Sequence, residues 1–74
     1  MNRVEALLQE LRRVPGLKEK TRGTFYRGSR AFLHFHEDPD GVFADVRLAD
    51  DFERARVTTP AEQASLLRRI RQVL

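Results

Sequence analysis

Two runs that alternate apolar and polar residues, 32–37 and 42–48, flank the tetrapeptide Asp38-Pro39-Asp40-Gly41. Proline presets the backbone for the second position of a turn, the aspartates accept hydrogen bonds within it, and glycine tolerates the conformation that closes it. A hairpin with these four residues as its loop pairs Glu37 with Val42, His36 with Phe43, Phe35 with Ala44, His34 with Asp45, Leu33 with Val46 and Phe32 with Arg47. One face then carries Ala31, Leu33, Phe35, Val42, Ala44, Val46 and Leu48, which is apolar throughout. A slip of one residue sets Asp45 against Phe35 and Arg47 against Leu33 on the buried side, and burying unpaired charge is costly. The register is thus fixed before any other element is considered.

The flanking segments have a different period. Val4, Leu7, Leu8, Leu11 and Val14 recur at helical spacing, which predicts an amphipathic helix over 3–14 that ends at Pro15-Gly16. In the last segment Thr59 is placed to cap, Pro60 to take the first helical position and Glu62 to complete a capping box. Leu66, Leu67, Ile70, Val73 and Leu74 form its expected buried stripe. Between the helices the period is two. Strands are expected over 21–27, 30–37 and 42–48, with Gly28-Ser29 as a tight turn, and residues 53–57 read as a fourth strand or as one helical turn. The expected fold is a single α+β domain over 1–74, ordered α-β-β-β(-β)-α, an antiparallel meander with both helices packed on one face.

The second face of the sheet raises the question of function. It carries Phe32, His34, His36, Phe43, Asp45 and Arg47, and a hairpin at Gly28-Ser29 that pairs Tyr26 with Ala31 adds Phe25 opposite Phe32. Three phenylalanines on the side away from the helices exceed what a soluble monomer normally leaves wet. A chain of 74 residues without cysteine has a small core and no disulfide or thiolate metal site to reinforce it. The leading expectation is therefore a self-associating interaction module, a homodimer closed through Phe25, Phe32, Phe43 and Arg47. A small apolar ligand over the same patch is the alternative occupant.

His34, His36 and Asp45 form the other feature of that face. Two imidazoles and a carboxylate within side-chain reach are the minimum set for a divalent metal with a position left for water. The same groups offer acid–base chemistry, with Asp45 orienting His34 as a neutral imidazole; the alternative is an ordinary sheet surface on which Asp45 holds His34 and His36 is solvated. This metal-binding or histidine-dependent site is the second functional reading. No other catalytic arrangement is visible. Gly16, Gly23, Gly28 and Gly41 are isolated, so no phosphate loop can be built; Ser29 and Ser65 lack an elbow motif, and Asp50-Asp51 reads as solvated turn chemistry. No resident cofactor is expected beyond such a metal.

Twelve arginines and two lysines against 11 acids give a net charge of +3. That surplus is small for a polyanion partner. The element order resembles the double-stranded RNA-binding domain, but that family opens its second helix with a lysine cluster, where this chain has Pro60-Ala61-Glu62-Gln63. Glu62 at a helix N-terminus repels phosphate, and nucleic acid is not the expected partner. No signal-peptide pattern or membrane-length apolar run is present, so a cytoplasmic protein without membrane contact is expected.

A further resemblance rests on Pro15-Gly16-Leu17, the F-x-x-G step Phe25 to Gly28, "FLHFHED" at 32–38 and "ADVRL" at 44–48. Over about residues 15–48 the chain resembles small bacterial domains labelled luciferase-like, whose members carry a similar H-x-H strand. The long segment those domains have between the third strand and the last helix is missing here. The resemblance implies that the H-x-H strand is a functional feature, and it carries over no catalytic residue.

Overall fold

A computed structural model describes residues 2–74. A 3-10 turn (Asn2–Val4) leads into helix α1 (Glu5–Arg12), strands β1 (Leu17–Thr21), β2 (Thr24–Arg27), β3 (Arg30–Asp38), β4 (Gly41–Val46) and β5 (Glu53–Arg56), and helix α2 (Pro60–Val73). The strands form one antiparallel sheet in chain order. Leu7, Leu8 and Leu11 of α1 and Leu66 and Ile70 of α2 join Leu33, Val42, Ala44 and Val46 of the sheet in one core. The α+β meander is present, with five strands where three or four were expected.

The β3–β4 pairing follows the derived register from Leu33↔Val46 to Glu37↔Val42. It continues to Asp38↔Gly41, so the connection is the two residues Pro39 and Asp40 and not a four-residue loop. The Asp38 carboxylate accepts the Asp40 backbone N–H at 2.9 Å and holds the turn from inside. Gly41 has φ +145°, and a Cβ there would collide with the Thr58 hydroxyl, which accepts the Val42 N–H and donates to the Val42 carbonyl.

Strand β1 was not expected, and the strand read over 21–27 is interrupted by a turn at Arg22-Gly23, with Gly23 at φ +80°. "LKEKT" shows almost no apolar alternation because its second inward-facing residue is charged. Glu19 pairs with Phe25 in the register and is held on the helix side of the sheet by Arg12 of α1, whose Nη2 donates to it at 3.2 Å, and by the Gly23 N–H at 2.9 Å. Its side chain keeps only 16% of its exposure. An ion pair to a neighbouring helix takes the place of an apolar contact, which a period-two search does not see.

The β2–β3 pairing departs from expectation with the largest effect. Tyr26 pairs with Ala31 as derived, but Phe25 pairs with Leu33, so Phe32 is the extra residue of a β-bulge. The bulge shifts the pairing by one and moves Phe25 to the helix side. Phe25 is fully buried and Phe32 retains 2% of its exposure, both within the common core. The three-phenylalanine patch on the open face is thus corrected: only Phe43 remains there, half-buried.

Helix α2 starts as derived. The Thr59 hydroxyl accepts the Glu62 N–H at 3.2 Å while the Glu62 carboxylate accepts the Thr59 N–H at 3.0 Å. Its end does not, since Val73 and Leu74 are 37% and 36% exposed and lie beyond the last core contact at Ile70.

Two outcomes follow for stability. Phe25→Ala removes a fully buried ring and should cost about 3–5 kcal/mol in urea unfolding, with Phe43→Ala costing clearly less; the reverse order would place Phe25 on the open face after all. The Thr59 N–H and then Arg56 hold the Glu62 carboxyl below its ordinary pKa of 4.5. A depressed folded pKa contributes stability above the unfolded value and loses it as pH falls through the folded one. Wild type should therefore exceed Glu62→Gln in stability at pH 7, and the gap should close as the pH is lowered below about 4.5.

Candidate functional site

Strands β3, β4 and β5 place His34, His36, Asp45 and Arg54 on the sheet face that the helices leave open. Alternation along β3 puts the two imidazoles on one side, and the register sets Asp45 opposite His34 on one flank and opposite Arg54 on the other. His36 Nε2 lies 2.7 Å from Asp45 Oδ2, and His34 Nε2 lies 3.6 Å from the same oxygen. The sequence reading paired Asp45 with His34 and left His36 solvated; the hydrogen bond instead runs diagonally to His36. Diagonal neighbours fall within reach of long side chains across antiparallel strands.

Arg54 completes the cluster. Its Nε donates to Asp45 Oδ1 at 3.0 Å, and its Nη2 lies 3.4 Å from Oδ2. The Asp45 carboxyl is held below its ordinary pKa, first by the hydrogen bond from Arg54 and next by that from His36, with burial opposing both. Asp45 is accordingly an anion and accepts only, so an uncharged His36 donates from Nε2–H. The imidazoles meet edge to face with centroids 4.4 Å apart, and both side chains stay about two-fifths exposed while Asp45 keeps 20%. The site is an open surface cluster with its charge-bearing oxygen partly shielded.

Among the described residues, His34, His36 and Asp45 are the one group of metal-ligating side chains whose donor atoms converge, all within 4.8 Å of one another. Ligands at about 2.0–2.2 Å from a tetrahedral zinc stand roughly 3.3–3.5 Å apart. The His34–Asp45 separation fits that spacing, and the His36–Asp45 pair must open by less than about 1 Å. Glu37 cannot add a fourth donor, since its register position across from Val42 lies in the other row of the sheet.

The remaining expected site residues are dispersed. Phe25 and Phe32 belong to the core. Phe43 stays on the open face with the Arg54 guanidinium 6.0 Å above its ring, and Arg47 lies 4.4 Å over the ring of Phe52. Sequence reasoning missed Arg54 and Phe52. The alternation in "ERAR" was the available signal for Arg54, because pairing that strand with β4 puts Arg54 opposite Asp45. Phe52, 39% exposed and 6.2 Å from the His34 ring, sits in a connection that no period describes.

Among the described residues, no helix is long and apolar enough to cross a membrane. No family model, no curated protein and no solved structure matches the chain.

Proposed function

We propose that the protein is a small binding module whose open sheet face takes a divalent transition metal at His34, His36 and Asp45. The observation that carries this reading is the convergence of two imidazole nitrogens on one partly shielded carboxylate oxygen. Two nitrogens and one oxygen suit zinc, nickel or another borderline cation better than calcium or magnesium, which favour all-oxygen sites. Three protein donors leave the rest of the coordination sphere to water or to a donor on a bound molecule. Arg54 acts as the resident counter-cation of Asp45 and is displaced, at least in part, when a metal takes its place.

The proton balance gives the reading a signature. An Nε2–H that donates to Asp45 has no lone pair for a metal, so coordination through that nitrogen requires the proton to sit on Nδ1. The metal-free protein should show His36 as the Nε2–H tautomer in 15N-resolved NMR, and zinc should convert it to the Nδ1–H form.

Calorimetric titration with zinc and nickel tests binding directly. Saturable binding is expected in wild type, weakened about tenfold or more in Asp45→Asn and absent in the His34→Ala, His36→Ala double variant. Arg54→Gln should tighten it by removing the competing cation. Undiminished binding in the double variant, or none in wild type, rules the site out.

A further inference from the structure

The β2–β3 turn and the chain leaving β4 meet at one end of the sheet around a pocket of about 100 Å³. Arg27, Arg30 and Arg47 line it together with the apolar Phe32 and Leu48, and none of its lining residues is acidic. Six other arginines, namely Arg12, Arg13, Arg22, Arg54, Arg56 and Arg69, each reach a carboxylate. The described ion pairs include none of the three at the pocket, nor Arg3, Arg68 and Arg71, which do not line it. The pocket therefore gathers positive charge that the fold does not neutralise.

Two details set this charge apart. Arg27 and Arg30 are direct cross-strand partners at a two-residue turn whose Gly28 has φ +63°, so the register sets two exposed side chains of like charge side by side. Such a pair is destabilising unless an anion lies between or beside it. Arg47 holds its guanidinium carbon 4.4 Å from the centre of the Phe52 ring, so the face of the group is engaged by the aromatic. Its Nε is the one buried side-chain polar atom among the described residues without a hydrogen-bond partner. A buried donor of this kind is costly unless an acceptor completes it.

We propose that this pocket binds a phosphate group, either as free phosphate or as the monoester headgroup of a small molecule. Three arginines around one small pocket favour a dianion over a carboxylate, and the unpartnered Arg47 Nε–H is a donor that an oxyanion can complete. A pocket this small admits a headgroup and leaves the rest of any ester outside. This site is separate from the histidine cluster and does not depend on it.

The test is an NMR titration of 15N-labelled protein with inorganic phosphate, phenyl phosphate and acetate at constant ionic strength, with thermal unfolding measured alongside. Phosphate should shift the Arg47 Nε–H signal saturably and raise Tm, because relief of the Arg27–Arg30 repulsion stabilises the folded state. Tighter binding of phenyl phosphate would identify an ester as the ligand, and tighter binding of inorganic phosphate the free anion. Arg27→Gln, Arg30→Gln changes two exposed side chains outside the core and should weaken phosphate about tenfold or more, while Arg47→Gln should abolish the saturable response. Equal, non-saturating shifts with acetate and phosphate would overturn the proposal. So would unchanged affinity in the double variant, or binding of a single-stranded oligonucleotide without any response to phosphate.

Discussion

The bulge at Phe32 is the constraint on which the rest of this structure depends. Side chains alternate along a strand with a period of two, so one inserted residue exchanges the faces of everything on one side of it. Without it, Phe25 would lie in the row of His34 and Asp45, exposed with Phe32 on the open face. With it, both rings enter the core beside Leu33. Burying a phenylalanine contributes on the order of 2–3 kcal/mol relative to leaving it wet. For a chain this short, two such rings are a substantial part of what holds it together.

The same insertion decides the chemistry of the other face. Relieved of two phenylalanines, that face is polar around a single acid, with Asp45 ringed by His34, His36 and Arg54. Phe52 neighbours both regions, with its ring 6.2 Å from that of His34 and 4.4 Å from the Arg47 guanidinium carbon. Two clusters of nitrogen donors therefore share one aromatic neighbour. One centres on a carboxylate and the other on none, so one suits a cation and the other an anion.

Much of this was legible in the sequence where physics is local. The Asp38-Pro39-Asp40-Gly41 turn and the cost of burying Asp45 or Arg47 fixed the central hairpin pair by pair. The Thr59–Glu62 capping box placed the start of α2. What escaped was non-local. Glu19 faces inward because Arg12 of another element neutralises it, which makes β1 invisible to a search for alternating apolar residues. The bulge is decided by the competition between burying Phe32 and keeping a regular ladder, and neither "FYRGSRAFL" nor its turn residues encode which wins. At the site the members His34, His36 and Asp45 were visible, whereas their hydrogen-bond order was not, because sheet geometry lets the diagonal histidine reach further than the one directly opposite.

The strand order has a kinetic consequence. Because β1 to β5 pair in chain order, each hairpin closes over a short loop, and contacts of low sequence separation form quickly. The exception is the seam between the helices, where the Gln63 side chain donates to the Arg3 carbonyl at 2.9 Å across nearly the whole chain. That closure carries the largest loop entropy in the molecule. Contact separation alone therefore favours pairing of the meander before the two ends of the chain are joined.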